Sequence, residues 1–141
     1  MTQLYISRFE SAFRILHIPS FQTEYEKYWT NPAEAAGALK FKVQLVVAIG
    51  SSLYREPFNA AIIRSAASEW VHAAQNWLSG PMEKDRLSIS GLQVQCLLIL
   101  ARQCLSVSGD LIWIAMGTVV RTAMQLGLHR DPKHFRKLTV L

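Results

Sequence analysis

Ile6, Phe9, Phe13 and Leu16 recur at three- and four-residue spacing, the period of one helical face and not the alternation of a strand. Pro19 disfavours helical geometry at Ile18, so the run His17-Ile18-Pro19-Ser20 predicts the end of this first helix. Ser20 can then cap a second helix that turns Phe21, Tyr25, Tyr28 and Trp29 inward. Asn31, Pro32 and Glu34 stand as cap, first-turn proline and third-position glutamate, a variant of the capping box, and open a third helix through about Tyr54. Glu56-Pro57 closes it. Asn59 is placed to cap a fourth helix, with Ile63, Ala66, Trp70, Ala73, Ala74 and Trp77 on one side and Arg64, Glu69 and Gln75 largely on another. Gly80-Pro81 ends that helix.

After a charged loop from Met82 to Arg86, Ser88 or Ser90 can cap a fifth helix from about Gly91 to Ser106. Leu92, Val94, Cys96, Leu97, Leu98, Ile99, Leu100 and Ala101 make it apolar almost all round. Such a helix sits at the centre of a bundle or against a partner outside this chain. In the second case the isolated chain would expose a large apolar patch and aggregate. Ser108-Gly109-Asp110 turns the chain into a sixth helix, with Asp110 as its cap and Gly127 at the left-handed C-terminal position. Six helices, no strands, no internal repeat and no low-complexity linker predict one all-α helical bundle.

Composition narrows the class of protein. With 141 residues, 50% hydrophobic and 18% charged, the chain is no disordered tail and can bury a core without disulfide or metal staples. The net charge is +5, and Arg130, Lys133, Arg136 and Lys137 against Asp131 supply three of those charges in one short stretch. No dense basic stripe runs along a long helix, so direct duplex binding is not the expected role of these residues. Cys96 and Cys104 lie about 12 Å apart on a regular helix and cannot bridge. As free thiols in apolar surroundings they fit a reducing compartment, cytosol or nucleus. Arg8, Glu10 and Arg14 interrupt any signal-peptide pattern. The apolar runs at 45–49 and 96–101 fall far short of the roughly 20 residues that cross a bilayer, so a soluble protein without a membrane partner is predicted.

Residues with chemical potential do not converge. His129 and His134 have a zinc-finger half spacing without the close cysteine pair that should accompany it. His129 is better placed to meet the free carbonyls of a helix C-terminus. His17 and His72 read as isolated, partly buried structural histidines. The chain has no nucleophile elbow and no phosphate-cradling glycine loop. Cys104 with His129 is an arithmetically possible nucleophile and base drawn from separate helices, and core packing explains both cysteines better. No enzymatic activity is expected. Trp29, Trp70, Trp77 and Trp113 fall at helical core spacing; the alternative is a pocket for an apolar small molecule, with a groove for a partner helix as a related option.

The run from Asp110 to Pro132 contains Trp113, Gly117 and Arg121 at four-residue spacing, followed by Gly127-Leu128-His129-Arg130-Asp131-Pro132. It resembles the signature of the fungal-specific transcription factor domain, the regulatory middle homology region of fungal zinc-cluster transcription factors. Phe13-Arg14-Ile15-Leu16-His17-Ile18-Pro19-Ser20-Phe21, Gln75-Asn76-Trp77-Leu78 and Leu92-Gln93-Val94-Gln95-Cys96-Leu97-Leu98 extend the likeness nearly end to end. The resemblance implies transcription regulation in the nucleus through intramolecular or partner contacts; the tryptophans and the fifth helix suggest the alternative of a receptor for an apolar small-molecule effector. It also implies that DNA and zinc are bound by a six-cysteine cluster preceding this region, so no cofactor is expected in this chain, which has two cysteines. Family members continue into further helices rich at first in Arg and Trp, so residues 1–141 are expected to be part of a larger all-α regulatory domain.

The motif residues have physical reasons of their own. Gly117 costs a helix about 1 kcal/mol, which close approach of another helix would offset. Gly127 permits positive φ, Leu128 can fold back on the helix, and Asp131-Pro132 forces an exit. They are therefore expected to pack and cap, not to form a catalytic or ligand site.

Overall fold

The computed structural model describes residues 1–81 and 85–134, and among them every regular element is helical. The Ile6 to Leu16 pattern is not one regular helix. α1 (Thr2–Tyr5) passes into a π-helical turn at Ile6–Glu10 and then α2 (Ser11–Phe13), which stops at Arg14 with φ of 48°. Glu10 fastens this break. It is almost wholly buried, and its Oε2 accepts the Tyr5 hydroxyl at 2.6 Å while its Oε1 accepts the Leu16 N–H at 2.8 Å. A carboxylate can be kept inside because charge-assisted hydrogen bonds replace its water.

α3 (Ile18–Thr30) starts before Ser20, because Pro19 sits in the first turn where its missing N–H costs nothing. His17 is the extended flanking residue, exposed to solvent, with Nδ1 2.7 Å from the Ser20 hydroxyl. The capping-box reading of Asn31 to Glu34 is also corrected. Pro32–Glu34 forms only a 3-10 turn, the chain extends through Ala35 and Ala36, and α4 begins at Gly37 (Gly37–Ser51). Packing decides this start: a Cβ on Gly37 would stand 3.1 Å from the Trp77 indole nitrogen.

α5 (Ala60–Ser79) follows Asn59, whose side chain makes no cap bond, and ends at Gly80. α6 (Ile89–Leu105) is capped by Ser88, whose Oγ accepts the Gly91 N–H at 3.0 Å. Ser90 instead lies 3.4 Å from the Lys42 ammonium, which is buried and pairs with Glu24 of α3 at 2.8 Å. After a 3-10 turn at Gly109–Leu111, α7 runs from Ile112 to Gln125, with Leu111 rather than Asp110 at its entry and no side-chain cap.

The core lies where α4, α5 and α6 meet: Val43, Leu45, Val46 and Ile49, with Val71 and Ala74, against Val94, Leu97 and Leu100. Tyr5 and Phe21 close it from the N-terminal side. α6 is thus the buried centre of the bundle. The tryptophans divide, contrary to the core expectation. Trp77 packs against Phe41 with the rings tilted by 36°, under the Arg86 guanidinium, and, like Trp70, is half-buried, whereas Trp29 and Trp113 are exposed. No helix among the described residues is long and apolar enough to cross a membrane. In the basic stretch Arg130 and Lys133 are exposed, while Arg136 and Lys137 lie outside the described residues, as do positions 82–84 of the charged loop.

Candidate functional site

α7 carries two apolar stripes. Ile112, Ala115, Val119, Thr122 and Leu126 recur at three- and four-residue intervals on the inner side, toward α6. Trp113, Met116, Val120 and Met124 form a second stripe at the same period on the outer side, and all four are exposed, Trp113 to 86%. Leu128 extends this surface. Among the described residues α7, and not the fifth predicted helix, which the core absorbs, is the one that keeps a second apolar stripe uncovered.

Of the motif residues, Gly127 and Leu128 terminate α7 by their backbone, while Trp113, Arg121, His129, Arg130 and Asp131 are exposed. A Cβ on Gly117 would meet no other helix, only the Arg121 guanidinium one turn on, at 3.4 Å, so the expected close approach of a second helix is absent among the described residues. Gly127 has φ of 81°; its N–H donates to Met124 O and the Leu128 N–H to Ala123 O, each at 3.0 Å. These two bonds satisfy the last carbonyls of α7. Leu128 returns by its backbone while its side chain stays half-exposed. His129, Arg130 and Asp131 are exposed; Asp131 Oδ1 accepts the Lys133 N–H at 3.0 Å, and Pro132 starts a new 3-10 turn.

Beneath α7 lies a cavity of about 330 Å³ walled by α5, α6 and α7. Leu98, Ile99, Ile114 and Val119 give it an apolar body. Two polar groups that sequence reasoning missed also face it. Arg102 is 4% exposed, its Nε has no hydrogen-bond partner, and it forms no ion pair among the described residues. Gln95 is 8% exposed with its Oε1 unpartnered. Desolvating an arginine without a counter-charge costs several kcal/mol. The C-terminal dipole of α6, in whose last turn Arg102 stands, returns at most about 2 kcal/mol. The signal was present in the sequence: Gln95 and Arg102 are polar residues seven apart, hence on one face, of a largely apolar helix that also carries Ser90, Gln93 and Gln103.

Other chemistry finds no support. Among the described residues no group of three or more His, Cys, Asp or Glu side chains could hold a metal ion. Burial raises the thiol pKa of Cys96 and of Cys104, the opposite of what a nucleophilic cysteine requires. Cys104 borders a separate cavity with Ser52, Tyr54, Arg64 and Ser68, and His129 is not among its walls. His17 and His72 are both exposed, not partly buried.

A bundle built around α6, with the Trp113 to Pro132 motif on and just after the solvent-facing α7, defines an all-α helical module with no assembled catalytic centre among the described residues. The family model of the fungal specific transcription factor domain matches residues 2–139, and the chain belongs to that family. It is 50% identical over 134 residues to the transcription factor asR3 of Sarocladium schorii, covering 94% of this chain and 16% of that protein. It is 38% identical over 139 residues to the transcription factor opdR of Penicillium oxalicum (99% and 17%) and 36% identical over 138 residues to lepE of Aspergillus flavus (96% and 17%). The chain thus spans about one-sixth of the length of these curated relatives. No solved structure matches it. The family is one of transcription regulators and not an enzyme class.

Proposed function

We propose that these residues form part of the regulatory middle domain of a nuclear fungal zinc-cluster transcription factor, and that they act by contacts of α7 with other helices of the same polypeptide. The outer stripe of α7 carries this reading: Trp113, Met116, Val120 and Met124 keep an apolar surface in water that a neighbouring helix would cover. The relatives are about six times longer, so chain to supply that neighbour exists in proteins of this kind. Zinc and DNA contacts belong, on this reading, to a cysteine cluster outside residues 1–141. The motif from Trp113 to Pro132 shapes and terminates the docking helix and performs no bond chemistry. A reporter driven by the full-length factor tests this. Val120→Asp together with Met124→Asp alters transcriptional output with the protein level unchanged, and deletion of residues 1–141 does so more strongly. Unchanged output from both would refute it.

A further inference from the structure

The cavity under α7 is a second feature, independent of the outer stripe. We propose that it is a binding site for a small amphipathic organic acid, with the ligand carboxylate on Arg102 and its apolar chain along α6. Three observations converge. Arg102 is a cation removed from water with no carboxylate among the described residues to answer it. Gln95, seven residues away on the same helix face, has a buried Oε1 without a partner, which a ligand hydroxyl or N–H donor would satisfy. Between them Leu98 and Ile99, with Ile114 and Val119 opposite, offer an apolar path, and the seven-residue rise sets a ligand length of about 10 Å. A few convergent polar groups in a mainly apolar cavity is the usual form of a small-molecule site.

The chemistry predicts a preference order. An alkyl carboxylate of that length binds; the same acid with a terminal hydroxyl binds more tightly, because Gln95 gains a donor; the corresponding alcohol, which cannot pair with Arg102, binds least. Such a ligand bridges α6 to the inner face of α7 and holds α7 in place, giving the module a chemical input.

Calorimetric titration of the full chain with decanoate, ω-hydroxydecanoate and decanol tests the site, with circular dichroism confirming helical structure in every variant. Decanoate is expected to bind at least ten-fold more tightly than decanol. Arg102→Met, which fills the same space without charge, should erase that difference while decanol binding stays the same. Gln95→Leu should remove only the added gain of the hydroxy acid, and Ala115→Phe should block all three by filling the cavity. Equal binding of acid and alcohol, retained decanoate preference in Arg102→Met, or no binding to the helical chain would each overturn the proposal. So would an acidic helical peptide that requires Arg102 where decanoate has no effect, since the counter-charge would then come from protein.

Discussion

α6 and α7 are adjacent apolar helices of similar length with opposite fates. α6 is surrounded by α4, α5 and α7, and its Val94, Leu97 and Ala101 are inaccessible to solvent. α7 covers only its inner stripe and leaves Trp113, Met116, Val120 and Met124 in water. Hydrophobicity alone therefore does not say whether a helix is a core element or a contact surface. The number of neighbours does, and those depend on the topology of the whole bundle.

Mutations should separate the two helices. Leu97→Ala opens a void in the fully packed centre and should cost about 2–5 kcal/mol. Val120→Ala on the outer stripe should stay within about 0.5 kcal/mol. Urea unfolding followed by circular dichroism measures both, and equal losses would show that α7 is as covered as α6. Arg102→Met, where the two helices face the cavity, should raise stability by about 1–4 kcal/mol in the absence of ligand, because it removes a buried cation without a partner. A loss in the same experiment would mean the guanidinium is answered by a group elsewhere in the chain.

Gly127→Ala should destabilise the end of α7 by about 1–2 kcal/mol, since a side chain is strained at φ of 81°. The effect should be confined to local exchange of the Leu126 to Leu128 amides, with core amides unaffected. The smallest expected effect is alkaline. Burial raises the thiols of Cys96 and Cys104 from the usual 9.0, and burial together with Glu10 raises the Tyr5 phenol well above the usual 10.0. For groups whose folded pKa is raised, stability is complete below the ordinary value and declines as pH rises past it. These three groups should therefore leave the thermal midpoint unchanged up to about pH 9 and lower it above that, less steeply when Cys96 is replaced by Ala. A midpoint that rises above pH 9 would contradict the burial of these groups.

Much of this architecture was legible in the residues. Period and punctuation located the helices, Ser88 was recognisable as a cap, and Gly127 as a left-handed terminator, because those signals act within one turn. What escaped depended on distant partners. The π-helical turn at Ile6–Glu10 is fixed by the long reach of Glu10 to Tyr5 and Leu16. The start of α4 at Gly37 is set by the Trp77 indole of α5, which overrides the Asn31-Pro32-Glu34 signal. The double stripe of α7 is legible in its spacing, but which stripe is covered depends on where α6 lies. The cavity needed Gln95 and Arg102 to be seen as polar residues on one face of a largely apolar helix, which means little until α7 is known to lie across them.

The claim that α7 docks onto other helices of its own polypeptide is tested most directly by oxidative footprinting of Trp113, Met116 and Met124. Their oxidation rates are compared in residues 1–141 alone and in the full-length factor. The account predicts that all three side chains react readily in the short chain and are protected at least ten-fold in the full-length protein. Equal reactivity in both would contradict it.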